Sequence, residues 1–197
     1  MRAEPGLVLL TGGQTGVDTL AARAALGAGL AVHLAFPLGL RQEDGPISPE
    51  RLGELDGAVL HELLASEFSG RTWACVGLAD VVVLIDPAGG DGCAETVRAA
   101  GEFGRPLLDL TGFVRGSPER VSAGLASPGL ASPGLAPTAV RDFLSRNSPQ
   151  VVLFAGCRGS LLDSAGATDA VAEVLDAVMC DGLAGGRPGR PSAGPWT

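Results

Sequence analysis

The stretch VLLTGGQTGVDTLAARAAL, residues 8–26, decides the fold because a glycine-rich loop joins its apolar run to a helical pattern. The apolar run ends at Thr11, and three glycines fall within the next five residues. Apolar residues then recur at helical spacing from Val17 to Ala24. Glycines, which lack a Cβ atom, let the backbone N–H groups of a loop converge on an anion, and a helix N-terminus adds positive potential. The stretch therefore predicts an anion-binding loop or, more simply, a tight connection between a strand and a helix.

Short apolar runs alternate with helical patterns along the rest of the chain. This alternation predicts a parallel sheet with helices on both faces, an α/β fold. One run, AVLHELLA at 58–65, holds His61 and has a helix-like pattern. We expect further strands at 31–36, 81–86, 106–110 and 150–155, and further helices at about 94–103, 138–146 and 168–179.

Composition limits the class of protein. The 197 residues suffice for one domain with a core, and 46% of them are apolar. A net charge of −8 argues against a nucleic-acid partner. All fourteen basic residues are arginine, which excludes lysine-based Schiff-base chemistry and a Walker loop. No apolar run approaches the roughly 18–20 residues of a membrane span, and the N-terminus lacks a secretory signal, so we expect a cytoplasmic protein without a membrane partner.

The cysteines and histidines do not predict a metal site. The four cysteines are scattered without a C-x-x-C pair, and the chain has only two histidines. Cys93 begins a predicted helix, where a thiolate would be stabilised, but a small buried residue is the simpler interpretation. We therefore expect free thiols and no metal ligands.

Two segments differ in composition from the predicted core. Residues 122–137 contain a near-exact repeat of Gly-Leu-Ala-Ser-Pro, and residues 184–197 are rich in proline and glycine. Such segments bury too little apolar surface to offset their conformational entropy. We therefore predict a domain over residues 1–183 with a mobile insertion at about 115–137, followed by a disordered tail at 184–197.

Three glycine-rich loops follow predicted strands. They read TGGQTGVD (11–18), DPAGGDGCAET (86–96) and AGCRGS (155–160). The carboxyl ends of parallel strands lie at one edge of a sheet, where ligands of such folds bind. Each loop alone could be a tight connection, but the three together predict a site for a small phosphate-bearing or otherwise anionic ligand.

Charged residues outside the first two loops could complete this site. Arg158, in the third loop, could grip a phosphate or carboxylate. Arg71 and Thr72 either begin a helix or face the ligand from the side opposite the first loop. Glu43 and Asp44 are either a carboxylate pair on a lid or solvated charges of a loop.

Five motifs give the chain a resemblance to a known family. The motifs are GGQTGVDTLA, RQEDGPI, GRTWACVGLADVVVLI, GCAETVRAAGEFGRP and VLFAGCRGS. Their order resembles that of the molybdenum-cofactor carriers, part of a Rossmann-like group that includes the Lonely guy phosphoribohydrolases. The resemblance covers most of residues 6–180 and implies a single Rossmann-like domain. The loops and the resemblance together give these candidate ligand residues: Gly12, Gly13, Gln14, Thr15, Gly16, Arg71, Thr72, Gly89, Gly90, Gly92, Thr96 and Arg158.

The resemblance leaves two functions open. In the carriers the last loop usually reads Ala-Gly-Pro-Arg-Glu-Ser, whereas here it reads AGCRGS. The second loop is closer to the Pro-Gly-Gly-x-Gly-Thr-x-x-Glu loop of the Lonely guy enzymes, which ends in a catalytic glutamate. Strict alignment puts Thr96 at that position and Glu95 one residue early.

The first function is therefore binding of a nucleotide-like ligand, with molybdenum cofactor as possible cargo and no cofactor required. The alternative is a phosphoribohydrolase that cleaves the N-glycosidic bond of a nucleoside 5′-monophosphate. That reaction needs a carboxylate to stabilise positive charge or activate water. The candidates are Glu95, Asp91 and Asp18. By analogy with related folds, we also expect a homo-oligomer, most simply a homodimer.

Overall fold

The computed structural model describes residues 6–114 and 133–183. Strands and helices alternate along most of these residues, with a short hairpin inserted after the second strand. The strands are β1 (Val8–Thr11), β2 (Ala31–Phe36), β3 (Arg41–Gln42), β4 (Gly45–Pro46), β5 (Val59–Glu62), β6 (Val81–Ile85), β7 (Leu107–Asp109) and β8 (Val151–Gly156). The helices are α1 (Val17–Gly27), α2 (Pro49–Glu54), α3 (Phe68–Leu78), α4 (Asp91–Glu102), α5 (Ala136–Asn147), α6 (Gly159–Ser164) and α7 (Thr168–Ala177).

Six strands form one parallel sheet in the order β5-β2-β1-β8-β6-β7. The last strand in the chain, β8, lies between β1 and β6, with Thr11 beside Phe154 and Ile85 beside Gly156. The glycine-rich loops after β1, β6 and β8 therefore leave three adjacent central strands at the same edge. The predicted Rossmann-like parallel sheet is confirmed.

Helices cover both faces of the sheet, as predicted. Successive side chains of a strand point to opposite faces, so a strand covered on both sides is apolar throughout. In β8, Val152 and Phe154 pack in the larger core cluster with α1, α5 and α7, whereas Leu153 packs in the smaller cluster with α3 and α4. Strand β6 likewise contributes to both clusters, Val81 and Val83 to the larger and Val82 to the smaller, and its VVVLI run is buried throughout.

The helix-like interpretation of residues 58–65 is wrong. Residues Val59–Glu62 form β5, which pairs in parallel with β2 at the edge of the sheet. Backbone pairing with β2 outweighs the helical pattern, and the four side chains of β5 are exposed. The pairing places His61 Nε2 3.1 Å from His33 Nδ1, away from the glycine-rich loops.

Most of the predicted mobile insertion, residues 115–132, and the whole predicted tail, residues 184–197, lie outside the described residues. The end of the predicted insertion is described: Pro133–Leu135 form a 3₁₀ turn, and α5 begins at Ala136, which is buried. Helix α5 thus begins two residues before the predicted start at Thr138. Among the described residues, no helix combines the length and the apolar character that a membrane span requires.

Candidate functional site

A cavity of about 310 Å³ opens at the carboxyl edge of the sheet. Its walls come from the loops after β1, β6 and β8 and from helices α3 and α4. The candidate residues that line it are Gly12, Gln14, Asp18, Arg71, Thr72, Gly90, Asp91, Gly92, Glu95, Thr96 and Arg158. Four other candidates, Gly13, Thr15, Gly16 and Gly89, lie outside the lining. Residues not singled out from the sequence as ligand-binding also line it, among them Phe68, Ser69, Cys75, Cys93, Cys157 and Leu161.

A buried ion pair stands at the base of the first loop. Arg71 Nη1, from α3, lies 3.2 Å from Asp18 Oδ2, from α1, and both side chains are at least nine-tenths buried. Burial raises the pKa of Asp18 above its ordinary value, and the charge of Arg71 and the N–H of Gln14 offset this only in part. Among the described residues, Arg71 Nε has no hydrogen-bond partner. Arg71 therefore brings a buried cation with one unused donor to the cavity wall.

Two glycines of the first loop make room for other parts of the protein. A Cβ atom at Gly12 would lie 1.2 Å from Arg71 Nη1, in the space that the guanidinium occupies. A Cβ atom at Gly16, where φ is +78°, would lie 2.4 Å from the carbonyl oxygen of Cys157. We expected Gly16 to leave room for a ligand, but its missing side chain lets the first and third loops pack backbone against backbone.

Three N–H groups of the first loop donate to acceptors within the protein. The N–H of Gly13 donates to Thr11 Oγ1 at 3.2 Å, and the N–H of Gln14 donates to Asp18 Oδ2 at 3.1 Å. The N–H of Thr15 donates to Gln14 Oε1 at 3.2 Å. These three N–H groups of the predicted anion-binding loop are thus engaged in hydrogen bonds within the loop and its helix.

The second loop differs, because its glycines lead into a helix end that faces the cavity. The N–H groups of Gly89 and Gly90 donate to Asp86 Oδ1 at 2.7 and 3.1 Å, which fixes the turn. Helix α4 then begins at Asp91, and no side chain among the described residues caps it. A Cβ atom at Gly92 would meet no atom within 4 Å. This helix end, three residues earlier than predicted, is open on the side of the cavity.

Glu95 is held as a carboxylate on the first turns of α4. Its Oε1 accepts hydrogen bonds from Ser69 Oγ, Trp73 Nε1 and Arg98 Nη2, the last two at 3.1 Å. The hydrogen bond from Ser69, followed by those of Trp73 and Arg98, lowers the pKa of Glu95. Its neighbour Thr96 donates to the carbonyl of Gly92 at 2.9 Å. An ionised Glu95 can stabilise positive charge or accept a proton, but it is a poor acid.

Glu43 joins the short hairpin to the first and third loops. Its carboxylate accepts from Thr15 Oγ1 and from the N–H and hydroxyl of Ser160, and it lies 3.5 Å from Arg158 Nε. Burial alone would raise the pKa of Glu43, but the hydrogen bonds from Ser160 and Thr15 outweigh it and lower the pKa. Arg158, predicted to grip a ligand, is thus paired with Glu43. Asp44 pairs with Arg51 instead.

A cluster that the sequence did not predict lies behind the second and third loops. Asp86, Cys93 and Cys157 are buried, and their carboxylate and sulfur atoms all lie within 4.8 Å of one another. Cys157 Sγ donates to Asp86 Oδ1 at 2.7 Å. The hydrogen bond with Cys157, burial and the charge of Asp86 raise the pKa of Cys93. The sequence signal was available: both cysteines follow ends of neighbouring strands, but their separation along the chain hid the contact.

The fold defines a Rossmann-like α/β protein with a cavity at the carboxyl edge of its sheet. The profile of the circularly permutated YpsA SLOG family matches residues 9–179. The chain belongs to this family.

One solved structure shares the fold over most of both chains. It is named "Putative molybdenum carrier protein" and comes from Syntrophus aciditrophicus SB. It is 22% identical, covers 88% of this chain and 95% of its own, and superposes with a TM-score of 0.67. A second, AtPrR2 in apo form, is 20% identical and covers 53% of this chain and 37% of its own, but its TM-score of 0.36 carries no argument. A search of curated proteins found no significant match.

Proposed function

We propose that this protein binds a small phosphate-bearing ligand of nucleotide or pterin type in the cavity, in the manner of a carrier. The observation that carries the proposal is Arg71, a nine-tenths buried guanidinium at the cavity wall whose Nε has no partner among the described residues. Buried charges are normally fully paired and hydrogen-bonded. Arg71 lines the cavity, so an anion there would give its guanidinium a second charged partner beside Asp18.

Two further features favour an anion. The N-terminus of α4, without a side-chain cap among the described residues, lines the same cavity at Gly90 and Gly92. The partial positive charge of a helix N-terminus stabilises phosphate groups. The volume of about 310 Å³ also lies at the lower end of the range of small-molecule sites, roughly 300–1,000 Å³.

The kind of ligand rests on the comparisons and the sequence motifs. The name of the neighbour from Syntrophus aciditrophicus speaks of a molybdenum carrier, and the motifs resemble those of molybdenum-cofactor carriers. Molybdenum cofactor, a pterin that bears a phosphate, is therefore the cargo that we propose first. A homo-oligomer and a cytoplasmic location stay predictions of the sequence.

The test of phosphate binding compares AMP with adenosine, and GMP with guanosine, by isothermal titration. We expect at least about tenfold tighter binding of the phosphorylated member of a pair, as one charge-assisted contact would give. Arg71→Lys keeps the charge but loses the guanidinium fork, and it should remove most of that preference. Arg141→Lys, an exposed change on α5, is the matched control. Equal binding of both members by the unmodified protein would contradict the proposal.

The test of cargo uses molybdenum cofactor itself. Purified protein is mixed with cofactor released anaerobically from a molybdoenzyme, and unbound cofactor is removed by gel filtration. We expect molybdenum and pterin to elute with the protein in equal molar amounts. If nucleotides bind in the titration but no pterin elutes with the protein, phosphate binding stands and this cargo is rejected.

Hydrolysis is the second candidate function, favoured by Glu95. This carboxylate lines the cavity, and three donors keep it ionised, as stabilisation of an oxocarbenium-like transition state requires. Asp91, also in the lining, is the second candidate carboxylate. Asp18 is committed to Arg71 and Gln14, which leaves it a poorer candidate.

A panel of nucleoside 5′-monophosphates, assayed for release of free base, tests this function. If base is released, Glu95→Gln should slow turnover by about 100-fold or more with little change in affinity. Glu102→Gln, an exposed change at the far end of α4, is the control. No release from any nucleotide by the unmodified protein would reject hydrolysis of this substrate class and leave the binding proposal standing.

A further inference from the structure

The buried cluster of Asp86, Cys93 and Cys157 joins three elements at the centre of the fold. Asp86 directly follows β6, Cys93 lies in the first turn of α4, and Cys157 directly follows β8. The three side chains are buried, and their ligand atoms lie within 4.8 Å of one another. Both cysteines also line the cavity. Two sulfurs and one carboxylate oxygen thus converge at the cavity wall.

We propose that Asp86, Cys93 and Cys157 form a binding site for a thiophilic divalent cation, represented by Zn²⁺. Thiolate and carboxylate are both zinc ligands, and three protein ligands with one further position are the pattern of open zinc sites. The proposal concerns the protein's own side chains at the wall of the same cavity, and its test needs no phosphate-bearing ligand.

The geometry needs only small adjustments to hold the ion. In a tetrahedral zinc site, two thiolate sulfurs lie about 3.8 Å apart, and a sulfur and a carboxylate oxygen about 3.5 Å apart. The three ligand atoms all lie within 4.8 Å of one another, so none of their separations exceeds these values by more than about 1.3 Å. The contact of 2.7 Å between Cys157 Sγ and Asp86 Oδ1 would have to open by about 0.8 Å as the metal replaces the thiol proton.

The turn around Asp86 already orients its carboxylate. Oδ1 accepts from the N–H groups of Gly89 and Gly90 as well as from Cys157. Outer hydrogen bonds of this kind fix the direction of a metal-binding carboxylate. The glycines of the second loop would therefore support the metal ligand as well as open the cavity.

Charge and proton balance follow from the ligand set. Binding forms two metal–sulfur bonds and one metal–oxygen bond, and the thiols of Cys93 and Cys157 release two protons to solvent. Two thiolates and one carboxylate then carry three negative charges against two on the ion. The fourth coordination position lies on the side of the cavity, which both cysteines line, and is available to water.

The test is a titration of reduced, metal-free protein with Zn²⁺ alone and with Co²⁺ as a spectroscopic substitute. We expect one equivalent to bind, with a thiolate-to-cobalt charge-transfer band and the visible bands of tetrahedral Co²⁺. The double variant Cys93→Ala/Cys157→Ala should weaken zinc binding by at least about 100-fold, and Asp86→Asn by about tenfold or more. Cys180→Ala, a change at an exposed cysteine outside the cluster and the cavity lining, should leave zinc affinity unchanged.

X-ray absorption of the zinc-loaded wild-type protein tests the proposal without the need for a variant. We expect two sulfur neighbours at about 2.3 Å together with oxygen neighbours. A shell of oxygen and nitrogen alone, a cobalt spectrum without thiolate bands, or zinc affinity unchanged in the double variant would each overturn the proposal. Since the phosphate test uses nucleotides without zinc, failure of one proposal leaves the other measurable.

Discussion

The first and second glycine-rich loops differ in what their glycines do. In the first loop, residues 12–16, Cβ atoms at Gly12 and Gly16 would overlap Arg71 and the backbone of the third loop. In the second, a Cβ atom at Gly92 would meet no neighbour within 4 Å. Both loops connect a central strand to a helix and contribute to the cavity wall, yet the space beside Gly12 and Gly16 is filled by the protein itself, whereas the space beside Gly92 is open.

This difference shows that a glycine-rich turn has two separable uses. Glycine permits a positive φ and a close approach of backbones, and the approaching group can be a ligand or another part of the chain. In the first loop that group is Arg71 at Gly12 and the third loop at Gly16. In the proposed function, anion binding is assigned to Arg71, which packs against Gly12, and to the start of α4.

The largest expected effect comes from removing the cation that the first loop packs against. Arg71→Met leaves the carboxylate of Asp18 buried without its partner, so we expect a loss of about 3–5 kcal/mol in the free energy of unfolding. Urea denaturation at neutral pH measures this loss. The double variant Asp18→Asn/Arg71→Met should recover part of it, because no charge is then left unpaired. A single variant as stable as the wild type would show that the first loop does not depend on this ion pair.

A Val at Gly16 tests the packing of the first loop against the third. The branched side chain would collide with the carbonyl of Cys157, and φ at this position is +78°. Strain and overlap together should cost about 2–4 kcal/mol, seen as a lower urea midpoint. If Gly16→Val folds normally and weakens only the binding of AMP, the first loop is the anion cradle after all.

The sequence predicted strands β1, β2, β6, β7 and β8, helices α1, α4, α5 and α7, and the convergence of three loops, because strand periodicity and strand-end glycines are local signals. Eleven of the fifteen candidate residues line the cavity. The sequence could not predict the contacts between segments that are far apart along the chain. The ion pair of Arg71 and Asp18 joins residues 53 positions apart, and the bond of Cys157 to Asp86 spans 71. Edge strand β5 was missed because its pairing with β2, and not its own pattern, fixes its structure.

The pH dependence of the free energy of unfolding tests the contact between the first and third loops, because Glu43 joins the two loops through hydrogen bonds. Its native pKa lies below the ordinary value of 4.5, so the native state binds fewer protons than the unfolded state as pH falls. Its contribution is complete above pH 4.5 and is lost as pH falls through the native pKa. We expect Glu43→Gln to cost about 1–3 kcal/mol at pH 7 and to flatten the decline of unfolding free energy below pH 4.5. Parallel curves for both proteins would contradict this role.

The smallest effect is expected at Gly92, compared with the same substitution at Gly16. Gly92→Ala adds a Cβ atom to the first turn of α4, where no atom lies within 4 Å and φ is ordinary for a helix. Alanine is a better helix former than glycine by about 1 kcal/mol, so the free energy of unfolding should stay unchanged or rise by up to about 1 kcal/mol. Gly16→Ala should instead lower it by about 1–3 kcal/mol, because the new atom falls against backbone at a positive φ. Thermal and urea unfolding of the two variants side by side measure the contrast. Equal losses at both positions would mean that the two loops are packed alike, and the open start of α4 could no longer be distinguished from the closed first loop.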